Sequence, residues 1–390
     1  MSQIEPERRD FRDSKTRVPA MRAARLHDRL QPLRIDSVER PSPRPNDVLV
    51  EIHACGVVPN VLNVLNYSDD FIAVQPPKPA IFGLDVGGIV VKKGDLVHGF
   101  EIGDRVYVNP ARYCGTCHHC RRDHPFACDS YTLNGYFGLA PKSAQMFRDY
   151  PYGGYAEYMT APGYSLVRLA DGIDFSLAAR WGYLGTAYAA LQRAHFTPFD
   201  TLLINGVSGT LGIGGVLFGL AMGATRILGA GRDPDLLARV KAIAPDRIEV
   251  FSTNEDTPLA QWVFSRTGGY GADVVLDALA PEASIEAFEA GIDSLAKYGR
   301  HVNCGGILQR ASFDTPRVMV SSQSILGSNW FTSAQAREMM ELAQAGRVDL
   351  SIFDHHGFAL DDINEALAAV ERRAGGFSNY FVTPQSGVGA

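Results

Sequence analysis

An apolar run at 201–205, Thr-Leu-Leu-Ile-Asn, passes directly into Gly206-Val-Ser-Gly209-Thr-Leu-Gly212 and then into an apolar stretch that reaches Ala224. A strand, a glycine turn and a helix in that order leave few folds open. Glycines let the backbone turn tightly and approach a pyrophosphate, and the N-terminus of the following helix favours the negative charge. The spacing G-x-x-G-x-x-G is a variant of the dinucleotide turn, and its weight comes from its place inside a longer strand–helix run. That run continues: 226–229, 272–277 and 299–304 read as strands, with helices at 234–243 and 283–294. Such alternation predicts a parallel sheet with right-handed crossovers. Helices around 334–345 and 360–372 and a strand at 379–383 follow.

The first part of the chain reads differently. Residues 1–20 carry nine charges and little apolar pattern, which predicts a loose extension. From Met21 to about residue 170, short β-rich segments such as 47–53, 88–91 and 105–108 are separated by Pro and Gly. A chain of 390 residues is long enough for two domains. Within the first, Cys114, Cys117, Cys120 and Cys128 crowd into fifteen residues. Four thiolates at that spacing suit a closed tetrahedral zinc site, one structural ion per chain. Cys55 and Cys304 lie in strand-like runs and read as small buried hydrophobes. A thiol cluster serving a metal fits the reducing cytoplasm. The net charge of −6 argues against a nucleic-acid surface. No apolar run is long enough to span a membrane. The expected partner is a small-molecule substrate.

Nineteen residues beyond Gly212, where an NAD-specific site commonly has a carboxylate for the ribose 2′-hydroxyl, stands Gly231, followed by Arg232. A carboxylate would repel a 2′-phosphate. Glycine leaves room for one, and a guanidinium can pair with it. NADPH is therefore favoured over NADH.

The chain resembles the zinc-type alcohol dehydrogenases of the medium-chain dehydrogenase/reductase family from about Met21 onward. Gly83-Leu-Asp-Val-Gly-Gly88-Ile-Val90 follows that family's G-H-E-x-x-G-x-V except at two places. Gly94, Val97 and Phe100 keep the next spacing, and Gly103-Asp-Arg-Val106 matches the G-D-R-V turn. The four-cysteine lobe fits without gaps. The resemblance implies an α/β fold: a β-rich GroES-like barrel domain plus a Rossmann domain with a doubly wound parallel sheet. Its division would be an extension at 1–20, a catalytic domain at 21–176 with the zinc lobe at about 110–130, a nucleotide domain at 177–326, and a segment at 327–390 returning to the catalytic domain. It implies cofactor contacts from Thr186, on the helix beside the nicotinamide, and from Gly206, Ser208, Gly209, Thr210 and Leu211 in the turn. Gly231 and Arg232 would follow, then Asp277, Cys304, Gly305 and Gly306 near later strand ends. It also implies a homodimer or homotetramer, with 323–330 near the contact.

The resemblance breaks at the catalytic zinc. Val58 stands at the first Cys position, Leu84 at the His position and Gly182 at the second Cys position. None can donate a lone pair to a metal. Without a Lewis acid, hydride transfer to a conjugated C=C bond is favoured over reduction of a ketone, because the charge spreads to an oxygen that needs only hydrogen-bond donors. A zinc-independent alcohol or ketone oxidoreductase and a non-catalytic NADPH-binding protein remain as alternatives. Candidate catalytic groups are Asn60, where the family has a hydroxyl; Asp85, expected to face the emptied pocket or else to pair with Arg180; and Tyr183, with Tyr67, as phenolic proton sources. Pocket walls are expected from 59–70, 130–150 and 328–333.

Overall fold

The computed structural model describes residues 19–66, 74–373 and 375–385. The expected N-terminal extension, apart from its last two residues, and Tyr67 lie outside the described residues.

Six strands form the parallel sheet: β1 (Thr201–Asn205), β2 (Arg226–Gly231), β3 (Ile248–Ser252), β4 (Ala272–Asp277), β5 (Leu295–Asn303) and β6 (Ser324–Gly327). Their order is β3-β2-β1-β4-β5-β6, and every neighbouring pair is parallel. Side chains of β1 alternate between two cores. Leu202 and Ile204 join the large one, and Leu203 packs on the far side with Leu228, Val263 and Phe288. Apolar packing on both faces is why this strand reads as an unbroken apolar run. The chain order reverses at β1, which has β2 on one side and β4 on the other. In open α/β sheets such a switch opens a crevice beyond the carboxyl ends of the strands. Helix α1 (Trp181–Arg193) precedes β1, α2 (Thr210–Ala221) follows it, and α3 (Pro234–Ile243) follows β2.

The β-rich half is built on one sheet in the order Leu166–Arg168, Arg105–Val108, Val86–Lys93, Asp47–Gly56, Ser378–Thr383 and Asp354–Ala359. Strand Tyr158–Pro162 also pairs with Asp47–Gly56. The C-terminal strand thus returns to the first half, placing Phe381 opposite Gly56 and Val382 opposite Cys55. A small sheet of Ala111–Arg112, Thr132–Leu133 and Phe137–Gly138 carries the cysteine lobe between its first two strands.

Strands β3 and β6 and the strand Asp354–Ala359 have no counterpart among the sequence-based expectations. Their residues are mixed in polarity. They become strands because a neighbouring parallel strand offers a ladder, a tertiary influence that local propensity does not carry. Among the described residues, no helix is long and apolar enough to cross a membrane.

Candidate active site

A cleft of about 1020 Å³ opens at the carboxyl ends of the parallel strands, and residues of the β-rich half close its other side. The glycine turn forms its floor. Gly206 has φ +83°, a region that favours glycine. The turn is pinned to β2 by the Gly206 and Val207 N–H groups, which donate to the Ala230 carbonyl at 3.0 and 2.9 Å. A Cβ on Gly212 would strike the Gly206 and Val207 carbonyls, so only glycine lets α2 start this close to the turn. Gly209 is the N-cap of α2 and supplies no side-chain cap, which leaves the helix's first amides free to meet an anion. The residues present therefore fit a dinucleotide pyrophosphate. Ser208, Thr210 and Leu211 line the same cleft, as do Thr186, Cys304, Gly305 and Gly306.

At the end of β2, Gly231 and Arg232 line the cleft, with Arg232 exposed. The nearest carboxylate in sequence, Asp233, is turned into the start of α3. It accepts the Asp235 and Leu236 N–H groups at 2.9 and 3.1 Å as the N-cap.

Asp277 does not line the cleft, which corrects the expectation that it touches the cofactor. It is fully buried beneath the wall. Its carboxylate accepts from the Asn205 amide at 3.2 Å and from the Leu279 N–H at 3.3 Å, so it holds two cleft-lining residues from below. Burial pushes its pKa up to about 7, against the pull of those two donors. His301, also fully buried, lies 3.8 Å away. Burial lowers its pKa to about 4, so the ring is neutral at pH 7 and the contact is not an ion pair.

At the opposite end of the cleft, Val58 and Leu84 are buried, and Leu84 forms part of the wall. The third position, Gly182, lies against Asp85, and a Cβ there would collide with both carboxylate oxygens. Asp85 is another correction. It does not face the cleft but is sealed beneath α1 with no exposed surface. The Tyr107 hydroxyl donates to its Oδ1 at 2.8 Å, while Oδ2 has no hydrogen-bond partner. Desolvation raises its pKa to about 7, opposed by the Tyr107 hydrogen bond, the Arg180 charge and the nearby Gly182 N–H. The alternative pairing with Arg180 is not made either. That guanidinium donates to the Gly376 carbonyl and sits 5.1 Å from the Phe353 ring centre.

Asn60 and Tyr183 do line the cleft. Asn63 donates its amide to Asn60 Oδ1 at 2.9 Å, which leaves the Asn60 amide hydrogens for another acceptor. The Tyr183 phenol is held protonated, its pKa pushed up to about 12 chiefly by burial. The Thr186 hydroxyl donates to the Gly182 carbonyl at 2.9 Å, so only its lone pairs remain for a ligand.

Two family models match this chain: an alcohol dehydrogenase GroES-like domain over residues 44–171, and a zinc-binding dehydrogenase domain over 210–345. The chain is a medium-chain dehydrogenase/reductase. Among its relatives, an NAD-dependent alcohol dehydrogenase of Sulfurisphaera tokodaii is 27% identical over 359 residues, covering 90% of this chain and 96% of that one. An alcohol dehydrogenase of Geobacillus stearothermophilus is 29% identical, over 84% of this chain and 90% of that one. In fold, the dehydrogenase/reductase matches the crystal structure of AibC with a TM-score of 0.80 at 24% identity, over 97% of this chain and 99% of the other.

The cysteine lobe of this dehydrogenase/reductase is compatible with a structural zinc. The four Sγ atoms lie within 4.8 Å of one another. Backbone N–H groups of Cys117 and Ser130 donate to Cys114 and Cys128 Sγ, each at 3.3 Å, as thiolate ligands require. Among the described residues, no second group of three or more Cys, His, Asp or Glu side chains converges in this way. The expected wall segments supply Pro59, Asn60 and Asn63, then Leu133, Tyr136 and Phe137, and Asn329 and Trp330. Sequence reasoning missed Thr253, Asn254 and Arg373, which also line the cleft. Asn254 donates to the Arg232 carbonyl at 2.8 Å from the turn after β3, a strand that carried no sequence signal of its own.

Proposed function

We propose that this dehydrogenase/reductase is an NADPH-dependent oxidoreductase that delivers hydride to a polarised, conjugated C=C bond without a catalytic zinc, while the four cysteines hold one structural zinc. The observation that carries the reading is the filled ligand set. Val58 and Leu84 offer no donor atom, and the Asp85 carboxylate occupies the space a Cβ at position 182 would need. The residues do not fit a catalytic ion, so the oxygen of the substrate must be stabilised by the protein.

When bound, reduced NADPH supplies the hydride. The α2 N-terminus and the Gly206–Gly212 turn hold its pyrophosphate. Arg232 would pair with the 2′-phosphate, and the carboxylate next to it in sequence, Asp233, is committed to capping α3. The S. tokodaii relative is named as NAD-dependent; Gly231 and Arg232 are the reason for the opposite assignment here. Hydride addition at the β-carbon breaks the C=C π bond and moves its electron pair toward the carbonyl oxygen. The Asn60 amide and the Tyr183 hydroxyl donate hydrogen bonds to that oxygen. The Tyr183 phenol is the source of the proton that the α-carbon then gains, leaving a saturated carbonyl compound, and the phenol is reprotonated from water. Asp85, buried away from the cleft, is a positioning residue that fixes Tyr107 and α1.

Relatives named alcohol dehydrogenases favour a second reading, reduction of the carbonyl itself. Deuterated NADPH and cyclohex-2-enone separate the two. Deuterium at the β-carbon of cyclohexanone supports the proposal, and deuterium on the carbinol carbon of cyclohexenol refutes it. The proposal extends to a cytoplasmic homodimer or homotetramer. β6 is an edge strand, and Met319, Val320 and Ile325 around it are 74%, 76% and 38% exposed. An open strand edge beside exposed apolar side chains favours pairing with a second copy.

A further inference from the structure

The glycine turn carries a side chain that its G-x-G-x-x-G form lacks. In that form the third residue is glycine, and here it is Ser208. Ser208 is half-buried and lines the cleft. Its carbonyl accepts the Gly376 N–H at 2.8 Å, which holds its backbone in place. Among the described residues its hydroxyl has no hydrogen-bond partner, so the O–H is available to a ligand.

That hydroxyl stands at the end of β2. A Cβ placed on Gly231 would lie 3.2 Å from Ser208 Oγ and 3.0 Å from Leu237 Cδ2. An NAD-specific site commonly carries, at the position of Gly231, the carboxylate that reads the ribose 2′-oxygen. In this chain the polar atom beside that place is a neutral donor from the glycine turn. The backbone opposite is held by three hydrogen bonds. The Gly231 carbonyl accepts from the Thr253 N–H at 2.8 Å and from its hydroxyl at 3.3 Å, and the Arg232 carbonyl accepts from the Asn254 amide at 2.8 Å. Those bonds fix the segment that carries Arg232.

Charge alone does not select a phosphate at this end of the cleft. Arg232 is exposed, and Glu255 and Asp256, also exposed, line the cleft just beyond Asn254. Asp233, the N-cap of α3, adds a third negative charge. These charges act over the same screened range as the guanidinium, so they offset its attraction. A hydroxyl bond is short-ranged and needs its acceptor within about 3 Å. We propose that Ser208 is a specificity-determining residue of the cofactor site, its hydroxyl donating to the 2′-phosphate that Arg232 pairs with. This rests on the NADPH reading above. The ribose 2′-hydroxyl of NADH can also accept from Ser208. A bond to a phosphate oxygen is charge-assisted and roughly twice as strong, so the phosphorylated cofactor gains more.

The test is calorimetric titration of the full chain with NADP⁺ and NAD⁺ in the absence of substrate, so that affinity is read without activity. Adenosine 2′,5′-bisphosphate and AMP form a second pair, which differs only in the 2′-phosphate and carries no nicotinamide. Wild type should bind the 2′-phosphorylated member of each pair more tightly. Ser208→Ala should lower both ratios about ten- to a hundredfold, with the loss falling on the 2′-phosphorylated member. Ser208→Gly restores the residue of the G-x-G-x-x-G form and should show the same loss, which keeps the test open if the alanine variant does not fold. Ser208→Asp should reverse the preference, because a carboxylate there accepts from the ribose hydroxyl and repels a phosphate. Circular dichroism checks that each variant is folded. A hydroxyl that only shapes the turn would weaken NADP⁺ and NAD⁺ alike and leave the ratios unmoved. A wild type that prefers NADP⁺, with ratios unmoved in a folded Ser208→Ala or Ser208→Gly, overturns the role of Ser208 and leaves the NADPH reading standing. A wild type with no preference for NADP⁺ overturns both.

Discussion

Asp85→Asn should remove a pH dependence of stability that the burial of this one carboxyl creates. In the folded chain its pKa is raised to about 7, against an ordinary value of 3.8. The native state therefore holds the proton more tightly than the unfolded state. The resulting stabilisation is fully present below pH 3.8, declines across the window from about 4 to 7, and is gone above it. At 1.36 kcal/mol per unit, the loss amounts to roughly 4 kcal/mol between the two ends of the window. Asp277, with a pKa also near 7, tilts the wild-type curve in the same direction. The informative quantity is therefore the difference between wild type and variant, measured by urea unfolding at half-unit steps from pH 4 to 8. Wild type should lose roughly 4 kcal/mol relative to Asp85→Asn across that range. Asparagine keeps an acceptor for the Tyr107 hydroxyl, so the variant should fold. Parallel curves would refute the reasoning: Asp85 would then titrate as an ordinary solvated carboxyl in both the folded and the unfolded chain.

Arg232→Ala should lower the NADPH-to-NADH affinity ratio by about tenfold, the worth of one exposed charge-assisted hydrogen bond, and an unchanged ratio would refute the cofactor assignment. Tyr183→Phe should lower kcat on the order of a hundredfold while leaving NADPH affinity unchanged, as loss of a proton donor requires. Ile325→Lys, on the open edge of β6, should convert an oligomer to a monomer in light scattering after size exclusion; a wild-type chain that runs as a monomer contradicts the pairing.

The nucleotide half was the most legible part of the sequence. The run 201–205 is a strand over the same residues, and 234–243 is a helix over the same residues. Those segments carry their own signal, apolar on both faces for β1 and capped by Asp233 for α3. β3 was invisible because Ile248-Glu-Val-Phe-Ser252 has too little pattern and gains its strand character from β2. At the site, the residues exposed by backbone geometry were readable: the glycine turn places Gly206, Ser208, Gly209 and Thr210 on the cleft by construction. Asp277 and Asp85 were misplaced for a shared reason. A carboxylate beside a functional motif reads as a ligand contact, and whether its side chain points into the cleft or behind it is set by packing. For Asp85 the deciding neighbour is Gly182, almost a hundred residues away in the chain, whose missing side chain makes the space that the carboxylate fills. That Val58, Leu84 and Gly182 carry no donor atom, by contrast, was readable in residue types alone.

The claim at the centre of this account is that the chain keeps the family's cofactor cleft and structural metal lobe without a metal at the reacting end. Inductively coupled plasma mass spectrometry on the purified full chain, with zinc supplied during expression and excess removed by gel filtration, tests it directly. The account predicts one zinc per chain, lost in Cys128→Ser. Two zincs per chain, one of them retained in Cys128→Ser, would contradict it.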